Sequence, residues 1–198
     1  GLGYTHLMSV FYHPTYFRLN GGYFNYDYDT AVTDYYYLTV GTSAELNEKY
    51  TLIAEAGPRY TDSEYDVARL EPIPGTPFIQ VVVDKETSSS WGGNGLLSLA
   101  YGGEKTDWEL ALSRDVTASS GQTQTTEQTE LKLDWNRRWT WELSTQLVMR
   151  YFHKESKRDN SDLGDIEEDT VVFQPRLRYR FNNDWFVQGL YRYTWRDE

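Results

Sequence analysis

Cysteine is absent from this 198-residue chain, which removes disulfides, thiolate metal sites and cysteine nucleophiles together. Long apolar runs are absent too. No stretch of about 18 apolar residues can serve as a transmembrane helix, and mean hydropathy is low. That excludes a helical bundle but not a barrel, whose strands alternate and hide their lipid-facing residues in the average. Basic charge is scarce: 19 Lys and Arg against 30 Asp and Glu leave a net charge of -11, which argues against a nucleic-acid partner. No secretory leader opens the chain, and because barrel proteins are trimmed after export, Gly1 is expected to lie inside a mature or truncated product.

Aromatic side chains are what the chain has in excess. Seventeen Tyr and seven Trp contribute to an aromatic share of 16%, more than a soluble core needs, and such rings favour membrane–water interfaces.

Alternation carries the fold. From Trp139 the odd positions read Trp139, Trp141, Leu143, Thr145, Leu147, Met149 and Tyr151, while the even ones read Thr140, Glu142, Ser144, Gln146, Val148 and Arg150. A helix would place Trp139 beside Glu142 and Leu143 beside Gln146, so the period is that of a strand. Val171, Phe173, Pro175, Leu177, Tyr179 and Phe181 oppose Gln174, Arg176, Arg178 and Arg180 in the same way. Trp185 to Trp195 repeats the pattern against Gln188, Arg192 and Thr194. Trp108, Leu110 and Leu112 oppose Glu109, and Leu131, Leu133 and Trp135 oppose Glu130, Lys132 and Asp134.

A soluble lipocalin-like barrel would turn the apolar face inward. Three features favour lipid instead. The segments are longer than ordinary strands. Aromatic residues mark both ends, as with Trp139 and Tyr151 or Trp185 and Trp195, and twelve steps of about 3.3 Å tilted by about 45° cover roughly 28 Å, close to the apolar band of an outer-membrane barrel. Connections also alternate between short and long. Tight turns are read at Asn47-Glu48-Lys49, Gly102 to Lys105, Asn136-Arg137-Arg138 and Asn182-Asn183-Asp184, and longer acidic or Ser/Thr-rich links at about 66–90, 115–128 and 155–169.

The expected fold is therefore all-β, an antiparallel transmembrane β-barrel filling 1–198 as a single domain. About ten strands are read, over 3–12, 15–28, 33–46, 50–65, 92–101, 107–116, 127–136, 139–154, 170–181 and 185–197. With this phase both ends emerge on the outer side and Trp195 to Glu198 does not close on an aromatic residue, so the chain is expected to be part of a larger barrel. Residues 66–90 are read as a long outer loop or plug-like insertion: Pro72, Pro74 and Pro77 oppose regular pairing, and the apolar run Phe78 to Val83 suits a strand buried on both faces. An extramembrane hairpin is the competing reading.

Several segments carry a family resemblance: Gly57-Pro58-Arg59-Tyr60-Thr61-Asp62, the run from Thr106 to Asp115, and Tyr179 to Trp185. Over about 92–197 the chain resembles the outer-membrane β-barrels associated with exosortase and exopolysaccharide clusters, and the β-barrel porins. The resemblance implies a role in moving or anchoring envelope polymer, and no catalytic residue is carried over.

With the polar face inward, the lumen is expected to hold Lys132, Arg150, Arg176, Arg178, Arg180 and Arg192 with Glu109, Glu130, Asp134 and Glu142, either as opposed charged walls that select ions or sugar acids, or as mutually satisfied pairs. The membrane girdle is expected at Trp108, Trp135, Trp139, Tyr151, Trp185 and Trp195. Tyr26, Tyr28, Tyr35 and Tyr37 are read mostly as girdle, with two able to face a sugar polymer inside. An enzyme is not expected: His153, with Glu155 and Asp159 near it, falls by parity on the lipid-facing side. No cofactor or dedicated metal site is expected, since Asp162, Asp165, Glu167, Glu168 and Asp169 read as a solvated acidic loop able at most to bridge divalent ions. The expected setting is the bacterial outer membrane, the partners its lipid, lipopolysaccharide and polysaccharide-export or envelope proteins. The expected function is a channel for polar solutes or exopolysaccharide, with a non-conducting anchor as the alternative.

Overall fold

A computed structural model of the chain describes residues 1–8, 13–28, 31–74, 79–118, 125–156 and 166–197. These form one antiparallel sheet of β1 (Leu2–Met8), β2 (Thr15–Tyr28), β3 (Ala31–Glu45), β4 (Tyr50–Pro72), β5 (Ile79–Gly102), β6 (Thr106–Ala118), β7 (Thr125–Arg138), β8 (Leu143–Ser156), β9 (Ile166–Arg180), β10 (Phe186–Leu190) and β11 (Tyr193–Asp197). Each strand from β1 to β10 pairs with its neighbours in chain order, and β11 pairs with β9. Among the described residues the sheet is open, with β1 at one edge and β10 and β11 at the other.

The register turns the alternation into two continuous faces. Leu52, Leu99, Leu110, Leu133, Met149 and Phe173 lie opposite one another across β4 to β9 on one face. Ser98, Ala111, Lys132, Arg150, Val172 and Thr194 do so on the other. Side-chain bonds show which way the sheet curls. Tyr35 on β3 donates to Asp115 on β6 at 2.9 Å. Three strand spacings of about 4.8 Å would hold these residues too far apart in a flat sheet. The polar face is therefore concave and the apolar face convex.

Burial is inverted relative to a soluble domain. Eight of the twelve buried residues described are polar or charged, Arg59, Thr61, Ser63 and Ser98 among them, and nearly all belong to the concave face. Leu97, Leu110, Leu112, Leu131 and Leu177 stand exposed on the convex face. Burying apolar area stabilises by about 25 cal/mol per Å², so a face left bare of it requires another apolar phase.

Four short turns close one end of the sheet. At two of them an asparagine side chain does the same work. Asn47 Oδ1 accepts from the backbone N–H groups of Lys49 and Tyr50 at 2.8 and 2.9 Å, and Asn182 Oδ1 from those of Asp184 and Trp185 at 2.9 and 2.8 Å. Such local bonds satisfy donors that the ladder cannot reach. Replacing Asn182 by Ala is expected to lower stability by about 1–2 kcal/mol, read as a shifted urea midpoint for the refolded chain, and Asn182→Asp to recover most of the loss.

The structure departs from the sequence expectations at three places. First, within 66–90 the run from Ile79 to Val83 is not a strand buried on both faces but one arm of a hairpin, as the competing reading has it. Asp66 to Pro72 pair with Ile79 to Lys85, extending β4 and β5 as a two-stranded hairpin past the last residue of β4 paired to β3, Tyr65. Ile79, Val81 and Val83 are 60–64% exposed. Pro72 is accommodated because it sits at the hairpin's end. Lys85 lies 2.5 Å from Glu64 and Arg69 pairs with Glu86; the hydrogen bond to Glu64 holds the Lys85 ammonium above its ordinary range.

Second, β8 starts at Leu143, not Trp139. Arg137 and Arg138 remain in β7, and the turn forms over 139–142 because Thr140 Oγ1 accepts from the N–H groups of Glu142 and Leu143 at 3.2 and 3.0 Å. Third, the last strand is split. Leu190 faces Arg176 and Tyr193 faces Phe173, so one register runs through both β10 and β11. Between them Tyr191 N–H donates to the Pro175 carbonyl at 3.1 Å, and proline has no N–H to return.

Candidate functional site: two faces of a curved wall

Two bands of aromatic rings cross the convex face. Near the turn end Tyr50, Tyr101 and Trp108 form one, with centroids 5.0 and 6.0 Å apart, and Trp135 continues it opposite Trp108. Towards the other end Tyr23, Tyr36, Tyr60 and Trp91 form a second, with successive centroids 4.9, 6.3 and 5.1 Å apart. Tyr50 to Tyr60 on β4 and Trp91 to Tyr101 on β5 are each ten residues, or about 23 Å of height for a tilt of about 45°. Between the bands the convex residues of β4 are Leu52, Ala54, Ala56 and Pro58, and those of β5 are Gly93, Gly95, Leu97 and Leu99. Charge returns immediately beyond, at Asp62 and Glu64.

The expected girdle residues distribute unevenly against this pattern. Trp108 and Trp135 belong to the turn-end band. Trp139 lies in the β7–β8 turn, where its Nε1 donates to Thr145 Oγ1 at 2.9 Å and Arg137 stacks on its ring at 4.1 Å, so Trp139 and Tyr151 do not mark the ends of one strand. Trp185 lies just before β10, and Tyr151 and Trp195 occupy convex positions opposite Val171 on either side of β9. The second band, absent from the sequence expectation, is assembled only by register.

The concave face carries a cavity of about 840 Å³. Phe24, Tyr35 and Tyr37 line it, their centroids 5.8–6.1 Å apart, with Leu96, Arg18 and Glu55 across the space. Tyr26 also occupies a concave position, opposite Thr33. These tyrosines are thus not girdle, which corrects the sequence reading. The Tyr28 side chain lies outside the described residues. A second cavity, of about 550 Å³, takes in convex Val40, Ala54, Leu97 and Leu112 with concave Glu55, Leu96 and Ser113. It sits where β5–β6 pairing ends, at Gly95 and Arg114.

Charged residues tie the concave wall together. Arg18 meets Glu55 at 2.7 Å, Lys132 meets Asp134 at 3.8 Å, and Arg150 meets Glu130 at 3.8 Å. Concave Arg59, 3% exposed, reaches Glu127, whose register position is convex like that of its second partner Arg114, and on the concave face Lys154 and Arg196 share Glu168 at 3.4 and 3.2 Å. Glu109 accepts from Ser98 at 2.9 Å. Arg176, Arg178 and Arg180 are concave, opposite Gln146, Ser144 and the turn residue Glu142 respectively. The continuous register of the last strand puts Arg192 opposite Gln174. Among the described residues the Arg176–Arg178–Arg180 ladder has no carboxylate partner, while Lys132 and Arg150 do.

His153 is convex, as parity required, and its partner is Asp169 at 2.9 Å, which also accepts from Tyr151 at 2.8 Å. Asp159, Asp162 and Asp165 lie outside the described residues. Glu168 and Asp169, read as part of a solvated acidic loop, lie in β9 and are held by Lys154, Arg196, His153 and Tyr151.

The architecture is that of a curved antiparallel wall with an apolar convex face and a polar concave one. No family model matches the chain, and no curated protein matches it. Among solved structures it is similar to a FadL homologue of Pseudomonas aeruginosa at 10% identity and TM-score 0.46, covering 90% of this chain and 56% of that one. It is also similar to the monoaromatic hydrocarbon channel CymD, at 12% identity and TM-score 0.46, covering 99% and 73%. A third is a deltaS2S3 mutant of the monoaromatic hydrocarbon channel TodX, at 12% identity and TM-score 0.44, covering 98% and 66%. The chain thus spans little more than half of the first and about two thirds of the third. None of the three is described as an exopolysaccharide- or exosortase-associated barrel. Likeness of this degree assigns neither cargo nor partner.

Proposed function

We propose that the chain is part of the wall of a bacterial outer-membrane channel that passes small ring-bearing solutes. One observation carries the membrane reading: the convex face is apolar over about 23 Å between two aromatic bands, while most of the buried residues of the concave face are polar. Hydrocarbon tails satisfy the first face and water the second. A soluble barrel would reverse both.

The cargo reading rests on the concave cavity. Phe24, Tyr35 and Tyr37 present ring faces beside the Arg18–Glu55 pair, which suits a planar ring with a polar substituent better than a flexible polymer. This replaces exopolysaccharide with a smaller cargo. A non-conducting anchor is the second reading, favoured by the projecting β4–β5 hairpin with its exposed Ile79, Val81 and Val83.

Uptake into proteoliposomes separates the two. The chain is expected to admit naphthalene sulfonate, which does not cross lipid unaided, several-fold faster than a disaccharide. Phe24→Ala with Tyr35→Ala is expected to cut the ring solute's advantage by about 2- to 10-fold, equivalent to about 0.5–1.5 kcal/mol of ring contact. Uptake no faster than in protein-free vesicles refutes the channel and leaves the anchor.

A further inference from the structure

Three arginines of one strand with no carboxylate partner among the described residues are unexpected in a chain whose acidic residues outnumber its basic ones 30 to 19. Arg176, Arg178 and Arg180 occupy alternate positions of β9, so all three side chains project from the concave face about 6–7 Å apart. Arg18, Arg59, Lys132, Arg150, Lys154 and Arg196 on the same face each meet a carboxylate. Among the described residues the β9 ladder, with Arg138 lining the same space and Arg192 opposite Gln174, stands apart from them, although like charges so spaced repel.

The ladder opens onto its own cavity, of about 740 Å³, at the turn end of the sheet and lined also by Arg138, Gln146 and Gln188. Two details point to a missing anion. The Nε atoms of Arg176 and Arg178 are buried and have no hydrogen-bond partner. A buried donor of this kind is costly to leave unpaired. Arg178 also lies over Phe186, its Cζ 4.0 Å from the ring centroid, a contact that holds the guanidinium in place without using any of its N–H donors on a carboxylate. Two carboxylates line the cavity, and neither forms an ion pair with the three arginines. Asp134 is bonded to Gln146 at 3.3 Å and lies 3.8 Å from Lys132, and Glu142 meets Arg180 by a backbone bond, the Arg180 N–H donating to the Glu142 carbonyl at 2.8 Å.

We propose that this cavity is a binding site for a polyvalent oxyanion of the phosphate type, held by Arg176 and Arg178 with Arg180 at its rim. Guanidinium forks match phosphate oxygens in pairs, and successive arginines on one strand can grip a ligand with more than one charged group. The site is read from the concave face alone and stands whether or not the chain conducts.

Calorimetric titration of the chain, refolded in dodecyl maltoside (a detergent without phosphate), with inorganic pyrophosphate tests it. Saturable binding is expected, weakened at least tenfold by Arg176→Gln with Arg178→Gln, and only partly restored by the Lys versions of both, which keep the charge but lose the planar fork. Arg150→Gln, which removes a cation already paired with Glu130, is expected to leave it unchanged. Displacement of pyrophosphate by phosphatidylglycerol in the micelle would assign the phosphate to a lipid headgroup, and its absence to a soluble anion; either result supports the site. The proposal is overturned if wild-type protein shows no saturable binding at millimolar pyrophosphate, or if Arg150→Gln weakens it as much as the β9 substitutions do. No transport is measured, so this result is independent of the uptake experiment.

Discussion

Arginine in place of Leu97 is expected to cost about 2–4 kcal/mol of folding stability in a bilayer, while the same substitution at Leu96 costs under about 1 kcal/mol. The two leucines are adjacent on β5 and differ only in face. Leu97 is convex and 50% exposed, opposite Ala54 and Leu112, and lies between Trp91 and Tyr101 of the two aromatic bands. A guanidinium there must enter hydrocarbon or drag water and headgroups with it. Leu96 is concave, opposite Glu55 and Ser113, and lines the 840 Å³ cavity, where an arginine finds water and a carboxylate. Urea-driven unfolding from phospholipid vesicles, followed by tryptophan fluorescence, measures both. If Leu96→Arg proves the damaging change and Leu97→Arg the mild one, the convex face is packed against protein and the membrane reading fails.

How far this arrangement could be read from sequence depends on which interactions are local. Strand alternation is local, and over β6 to β9 the faces read from parity are those of the structure: Leu110, Leu133, Met149 and Phe173 on one side, Glu109, Lys132, Arg150 and Arg176 on the other. The turns at Asn47 and Asn182 are local as well, each made by a single side chain reaching two or three residues ahead. Trp139 was misplaced because parity runs unbroken through a four-residue turn; the signal that breaks the strand is Thr140, whose hydroxyl takes two backbone donors. Continuous apolar character from Ile79 to Val83 suggests two covering layers, whereas the hairpin leaves Ile79, Val81 and Val83 exposed. Proline at a hairpin end also disturbs pairing far less than proline inside a ladder.

What sequence could not supply is cross-strand. The second aromatic band takes one ring from each of four strands, so no single segment announces it; only the matching ten-residue spacing on β4 and β5, run in opposite directions, could have hinted at it. The Tyr35–Asp115 and Arg59–Glu127 contacts depend on curvature, a property of the whole sheet. The arginine ladder is visible in the sequence, but its lack of carboxylate partners among the described residues, which sets it apart from concave Arg18, Lys132 and Arg150, is a fact of three dimensions.

Curvature itself has a weak point, and a single side chain placed there is expected to be among the most damaging substitutions in the chain. A Cβ at Gly57 would lie 1.8 Å from the Leu38 carbonyl oxygen and 2.7 Å from the Thr39 Cα, both of them backbone atoms that no rotamer change can move. The β3–β4 ladder skips Leu38 and Thr39 there and resumes in the same register at Val40 and Ala56, beside Pro58, which has no N–H to donate. Glycine is what lets the two backbones come this close. Gly57→Val is expected to destabilise by about 1–3 kcal/mol or more, and to loosen Arg59, two residues on, from Glu127. Gly102→Ala is the control, since a Cβ at Gly102 meets nothing within 4 Å, and its cost should stay below about 1 kcal/mol. Equal unfolding midpoints for Gly57→Val and Gly102→Ala would mean that β3 and β4 are not held so close, and that something other than this contact brings Arg59 across to β7.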